Sequence, residues 1–318
     1  MIKNIILAVL VSFLLTAMIG PRMLPMLMKL KFGQFVREDG PSSHLKKSGT
    51  PTMGGLIFIS GILLSSLVFA SVEKSVMPLL FMTIGFAVVG FVDDLLKIKK
   101  KKSEGLKAYQ KLLLQGVCTL FFLAYVYFEA EIGTKVYLPF TNKYLLDLGL
   151  LYYPLMAVVI LGTVNGVNLT DGLDGLATSV TSVVAAFFIG FSLLFSSQIS
   201  IFSAIVLGAL LGFLLINVHP AKVFMGDTGS LALGGFVAAS AILAQIPLLI
   251  LLFGSIYLIE SISVILQVAY YKKTKKRIFK MAPIHHHFEL SGMSETQIVA
   301  FFSVITMVMS LIAILSLL

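Results

Sequence analysis

The 318-residue sequence is 58% hydrophobic and only 12% charged, with a mean hydropathy of +0.99. Soluble domains carry about 25% charged residues, so the composition excludes one and points to an integral membrane protein. A net charge of +9 raises nucleic acid as a partner, but its distribution along the chain assigns it to membrane topology instead.

Apolar runs of about 20 residues mark spanning helices. Ten are read, over about 4–24, 53–72, 76–92, 109–128, 150–165, 176–196, 199–217, 229–245, 247–270 and 297–317. The expected fold is all-α, a single polytopic membrane domain over residues 1–318 with about ten transmembrane helices. The first run has no small-residue cleavage site behind it and meets Pro21 and Pro25, so it reads as a retained helix rather than a signal peptide. Cys118, the one cysteine, lies within an apolar run, which leaves neither a disulfide framework nor a thiolate metal site.

An even helix count puts both termini on one face. Of the 24 Lys and Arg, all but Lys3, Lys74, Lys135 and Lys143 fall on one alternating set of connections. Positive-inside bias places that set in the cytoplasm and both termini outside. The runs at 99–102 and 272–277 are explained as topology signals that also touch anionic lipid. Outer connections are short, except about 129–149, which reads as a small hairpin or loop. Inner connections are longer and hold nearly every unusual polar residue, so function is expected at the cytoplasmic face.

In chain order, Lys46-Lys47-Ser-Gly-Thr50-Pro-Thr52-Met-Gly54-Gly55 leads into the second helix, where lysines, hydroxyls and glycines suit an anion. Asp93 and Asp94 close the third helix, where paired carboxylates oppose the macrodipole, and Lys97 lies beside both at i+4 and i+3. Asn165-Gly-Val-Asn168-Leu-Thr-Asp171-Gly172-Leu-Asp174-Gly175 joins two apolar runs without a basic residue. Its glycines permit close backbone approach and its Asn and Asp offer oxygen ligands; capping at Thr170 or Asp171 explains one or two of these residues, not four. Asn217-Val-His219-Pro-Ala-Lys222-Val-Phe224-Met-Gly226-Asp227-Thr228-Gly229-Ser230 leads into another run, so Asp227 is read as a helix cap, a metal ligand or both. Glu260 lies mid-run, either functional or a protonated carboxyl bonded to a neighbouring helix, and Gln267 follows on the same face. His285, His286 and His287 are consecutive, which disfavours a common metal and suits donation to phosphate oxygens.

Five of the seven aspartates (Asp93, Asp94, Asp171, Asp174 and Asp227) thus sit at the inner ends of spanning segments. Like charges at one depth repel and need a cation or a proton, and Mg²⁺ is the cation that also binds phosphates. Membrane-embedded, metal-dependent phosphate chemistry is the first expectation.

These signatures resemble the polyprenyl-phosphate N-acetylhexosamine-1-phosphate transferases, on Thr50 to Gly55, Asp93-Asp94, Asn165 to Gly175, Phe224 to Asp227 and Pro283 to Glu289. The match runs from near residue 20 to the C-terminus, and its histidine motif points to the members acting on the MurNAc-pentapeptide donor. The resemblance implies a bacterial inner-membrane enzyme, often a homodimer. It would transfer phospho-MurNAc-pentapeptide from UDP-MurNAc-pentapeptide to undecaprenyl phosphate with Mg²⁺, giving lipid I and UMP for peptidoglycan. It implies Asp227 as magnesium ligand and Asp93 and Asp94 in the catalytic centre. By the same likeness Asn168, Asp171, Gly172, Asp174, Asn217 and Phe224 line the uridine side. Lys47, Thr52, Lys97, Lys111, Gln267 and His285 to His287 hold phosphates or neighbouring groups. Direct attack by the lipid phosphate is expected, with Asp93 orienting or deprotonating it, rather than a covalent aspartyl-phosphate. A GlcNAc-1-phosphate transferase would keep the same aspartates. A secondary transporter would place its site near the midplane in repeated, broken helices, and only Glu260 is expected at that depth, with no repeat visible.

Overall fold

The computed structural model describes residues 1–29, 49–100, 104–130, 132–141 and 145–318. Among the described residues, twelve α-helices follow one another along the chain. They are α1 (Ile2–Lys29), α2 (Gly55–Phe69), α3 (Val76–Lys100), α4 (Ala108–Phe128), α5 (Tyr152–Thr170), α6 (Leu176–Phe195), α7 (Ser200–Asn217), α8 (Gly226–Leu243), α9 (Ile250–Phe253), α10 (Ser255–Thr274), α11 (Ile284–Glu289) and α12 (Glu295–Leu315). All ten expected segments are helical, and eight helices among the described residues are long and apolar enough to cross a membrane.

Two segments depart from a simple span. The second forms a helix of only 15 residues, about 22 Å at 1.5 Å per residue against a hydrocarbon core of roughly 30 Å. The run expected at 247–270 is broken at Gly254, where Pro247–Phe253 and Ser255–Thr274 meet at 82°. Apolar composition records a greasy environment, not a direction, so nothing in that run marks the corner. The fold is also not purely helical. Strands β1 (Lys135–Tyr137) and β2 (Leu145–Asp147) pair antiparallel, Val136 opposite Leu146, so of the hairpin or loop anticipated at 129–149 the structure forms the hairpin pairing.

The organising element is α8, buried around nearly its whole circumference, as expected of a helix that is apolar on all sides. It packs chiefly on α3 and α5, while α1 lies along α7. The α3–α8 contact is close because position 90 is glycine: an added Cβ there would overlap the Asp227 carbonyl oxygen. In α1 the helix continues through Pro21 and Pro25 to Lys29.

Chain direction sorts the two ends of the bundle. The last turns of α3, the end of α5, the α5–α6 turn and the start of α8 carry the aspartates, while the hairpin meets Gln245 and Ser316 at the opposite end. Because α1 packs parallel to α7, with Val9 against Gly208 and Thr16 against Gly212, both termini lie with the hairpin, away from the aspartates. At that far end, Glu73 accepts from the Ser200 hydroxyl and from the Ile201 N–H, 2.9 Å away. A side chain from another turn thus caps α7, satisfying donors that its own N-terminus leaves open. Glu73→Ala is expected to cost about 1–2 kcal/mol, read as a lower melting temperature in detergent with turnover unchanged.

Candidate active site

The site is built where the last turns of α3, the first turn of α4, the end of α5 and the first turn of α8 meet. Asp93, Asp94 and Asp227 bring carboxylate oxygens within 4.8 Å of one another. Lys97 answers all three: its Nζ is 2.7 Å from Asp93, 2.9 Å from Asp227 and 3.7 Å from Asp94. Lys111 from α4 reaches the same Asp227 oxygen at 2.8 Å. The other Asp227 oxygen accepts from the Asn168 amide at 2.8 Å, and Asn168 also donates to Ser230. Three carboxylates therefore face two ammonium groups in a largely enclosed space, where charge pairs interact far more strongly than in water.

The two paired aspartates have different tasks. Asp94 accepts the backbone N–H groups of Asp227 and Thr228 and the Thr228 hydroxyl, at 3.2, 2.9 and 2.7 Å. It is the cap of α8, supplied from α3. Asp227 therefore does not cap the helix it opens; it lies inside the first turn, and its carboxylate is free to face the lysines. Asp93 accepts the Leu106 N–H at 2.8 Å while holding Lys97. Nor do the aspartates end their helix: α3 runs on to Lys100, and its last turn carries Lys97, Lys99 and Lys100, which suit the negative end of the macrodipole.

Asp171 ends α5 beside this group. Burial, then the charges of Asp227 and Asp94, hold its carboxyl well above the usual carboxylate range, against the Gly226 N–H that it accepts. Such a carboxyl keeps its proton to higher pH than a solvated one and offers a donor as well as an acceptor. Thr52 and Asp94 both lie against the Gly226 turn. The segment carrying Thr52 lies against the one carrying Phe224: the Phe224 N–H donates to Pro51, and the Gly54 and Gly55 N–H groups donate to Phe224 and Met225. At the start of α2, read from its lysines, hydroxyls and glycines as suited to an anion, these two amides are thus satisfied by carbonyls.

Asn217 and Asp174 are both buried. Asn217 accepts from Thr178 at 2.6 Å and donates to the Val223 carbonyl at 3.0 Å. Asp174 accepts from Ala221 N–H and meets His219 Nδ1, each at 3.0 Å, while its own N–H donates to Glu295. Asp174, His219 and Glu295 form a second group with ligand atoms within 4.8 Å, and it ties residues 219–221 to the α5–α6 turn and the start of α12. Thr178→Val tests the holding role of Asn217: a lost buried donor costs about 1–3 kcal/mol, so melting and turnover should fall together.

His285 faces Gly172, where an added Cβ would overlap its Nε2. Gln267 instead grips the returning chain, accepting from Ile278 and Phe279 N–H, each at 3.0 Å. His286 pairs with Glu289, and His287 accepts the Lys280 N–H. Lys47 lies outside the described residues. Gln115, which exchanges hydrogen bonds with Asn165, and Glu295 were not foreseen, and Ser230 was read only as the end of the motif that begins at Asn217. Each reads in sequence as an ordinary polar residue on a helix, and only packing gives it a partner.

An oxygen-only set of clustered carboxylates fits a hard divalent cation, and the flanking lysines fit anionic oxygens. Apolar membrane-length helices with this acidic centre at one end define a multi-pass membrane protein equipped to handle phosphate groups. Residues 76–245 match the model of glycosyl transferase family 4, and residues 47–59 match the phospho-N-acetylmuramoyl-pentapeptide-transferase signature 1. A phospho-N-acetylmuramoyl-pentapeptide-transferase of Clostridium perfringens (strain SM101) is 52% identical over 99% of this chain and 97% of the relative. Proteins of the same name from Clostridioides difficile and Caldicellulosiruptor bescii are each 48% identical, over 96% and 97% of this chain and 96% of each relative. The chain belongs to the phospho-N-acetylmuramoyl-pentapeptide-transferase family.

Proposed function

We propose that this protein transfers phospho-MurNAc-pentapeptide from UDP-MurNAc-pentapeptide to undecaprenyl phosphate, releasing UMP and forming lipid I, at the cytoplasmic face of a bacterial inner membrane. The observation that carries this reading is the convergence of Asp93, Asp94 and Asp227 on Lys97 and Lys111 at one end of a membrane bundle. The skew of Lys and Arg toward that end supports the cytoplasmic assignment, with both termini outside and all ten helical segments counted as membrane elements.

Both reactants are anionic, and one is soluble while the other is a lipid. The chemistry therefore belongs at helix ends, where water and hydrocarbon meet. A lipid phosphate oxygen attacks the sugar-bearing phosphorus of the diphosphate; the new P–O bond forms as the bond to the bridging oxygen breaks, and UMP leaves with the electron pair. Asp227, with Asp93 and Asp94 beside it, would hold Mg²⁺, which supplies Lewis-acid screening of the phosphate charge when bound. Lys97 and Lys111 neutralise anionic oxygens and position them, which is most of what phosphoryl transfer asks of a protein. By the family resemblance Asp171 and Asn168, with Phe224, would meet the nucleoside part. Asp93, enclosed and already bonded to Lys97 and Leu106 N–H, suits orienting the acceptor better than forming a covalent intermediate.

The test uses purified protein in detergent with UDP-MurNAc-pentapeptide and undecaprenyl phosphate. UMP release is expected only with both substrates and Mg²⁺, and is lost on chelation. Preference for UDP-GlcNAc would move the protein to the sister activity. Stoichiometric UMP release without lipid acceptor would overturn direct attack, and no release at all would remove the enzymatic reading.

A further inference from the structure

Glu260 and His285 form a buried pair that the chemistry above does not use. Glu260 is 0% and His285 1% exposed, and Glu260 Oε1 lies 3.0 Å from His285 Nδ1. The bend at Gly254 and the packing of Tyr257 and Ser261 against Gly166 set this turn of α10 beside the last turns of α5. Glu260 is thus bonded to a histidine of α11 rather than to another spanning helix.

The remaining atoms of the pair are informative. Neither Glu260 Oε2 nor His285 Nε2 has a hydrogen-bond partner among the described residues. A buried polar atom left without one costs about 1–3 kcal/mol, so an unpartnered ring nitrogen needs a reason to be where it is. That nitrogen is directed at Gly172, so closely that only a residue without Cβ fits there. Gly172 follows Asp171, which adjoins Asp227 and Asp94 through their charges. A fully enclosed imidazole therefore turns its one open valence toward the turn that borders the reaction centre.

The carboxylate explains the orientation. With Nδ1–H donated to Glu260, the ring cannot flip without burying a carboxylate against carbon. The anionic oxygen also provides the counter-charge for an imidazole that carries a second proton on Nε2, the form able to donate to an anion. We propose that Glu260 is a positioning residue acting through His285: it fixes the imidazole so that Nε2 faces the Gly172 turn as a donor to an oxygen of the nucleotide-sugar substrate. The proposal rests on the transferase reading above and adds to it a residue from the supposed interior of a span.

A residue that only holds α10 to α11 would affect both substrates and the fold alike. Positioning through His285 would affect the nucleotide donor alone. In purified full-length protein, Glu260→Ala is expected to raise the KM for UDP-MurNAc-pentapeptide by about 10- to 100-fold, the range for a charge-assisted hydrogen bond. The KM for undecaprenyl phosphate should stay within about twofold. Glu260→Gln keeps an oxygen acceptor for Nδ1–H but not the counter-charge, and should recover only part of the loss. His285→Ala should match Glu260→Ala, and the double variant should be no worse than His285→Ala, since both changes remove one interaction. An unchanged donor KM in Glu260→Ala, equal rises for both substrates, or single effects that multiply in the double variant would each overturn the proposal. If Glu260→Ala does not fold, Glu260→Gln made in the His285→Ala background decides: no added effect supports action through the ring, and a further rise in donor KM refutes it. Inactive wild-type protein would sink the transferase reading and this one with it, whereas active wild type with an unaffected Glu260→Ala sinks only this one.

Discussion

Asp227→Asn is expected to lower UMP release by roughly 10³-fold, the scale seen when one preorganised electrostatic group is removed, while leaving the melting temperature nearly unchanged. The side chain is isosteric, and its backbone N–H stays bonded to Asp94, so α8 keeps its cap. What disappears is the charge shared by Lys97 and Lys111, both bonded to the same carboxylate oxygen. The remaining amide offers the lysines no counter-charge and a divalent ion no anionic ligand. Asp94→Asn provides the contrast. Its carboxylate receives three donors from the first turn of α8, and an amide in that place turns an NH₂ toward at least one N–H. That variant should lose stability as well as turnover. Activity in Asp227→Asn above a tenth of wild type, or a fall in its stability matching that of Asp94→Asn, would show that the two aspartates share one role instead of dividing catalysis from capping.

How much of this could be read beforehand follows the distance along the chain over which each interaction acts. The proximity of Lys97 to Asp93 and Asp94 is a property of one helix, so its i+4 and i+3 spacing announces it. The gathering of aspartates at one end needs only the alternation of spans, because each aspartate terminates or begins one. The hairpin at 135–147 is equally local. By contrast, Asp94 as the cap of α8 joins residues more than 130 positions apart, and no periodicity encodes it. Glu260 was conspicuous as a carboxyl within an apolar run, but its partner His285 lies on another helix, and the bend at Gly254 that brings the two together leaves the hydropathy untouched. The lysines after Asp94 led the sequence to end α3 too soon: charge there suggests a loop, although basic residues are what a helix C-terminus favours. Asn217, Asp174 and Gln267 stand out as polar residues near the site, and the structure engages each of them in bonds to backbone that hold the segments around it.

Gly90 gives the second large effect, through packing rather than charge. Atoms of the Asp227–Thr228 backbone occupy the space that a Cβ at position 90 would need, the Asp227 carbonyl oxygen foremost. Backbone in the first turn of a buried helix has no rotamer by which to give way, so Gly90→Ala must move α3 and α8 apart. Overpacking of this kind costs about 1–3 kcal/mol. The functional cost should be greater, because Asp93, Asp94 and Lys97 ride on α3 within two turns of Gly90 while Asp227 rides on α8. A misplacement of about 1 Å between reacting or positioning groups costs roughly 10²-fold in rate. Gly90→Ala should therefore lose about two orders of magnitude in turnover, with a weaker response to Mg²⁺. Gly116→Ala is the matched control: it lies on α4, where an added Cβ meets nothing within 4 Å, and alanine favours helix over glycine by about 1 kcal/mol. It should melt at or above the wild-type temperature with normal turnover. Wild-type rates in Gly90→Ala would mean that the carboxylates find one another without close α3–α8 contact, and helix packing could no longer be what assembles the acidic centre.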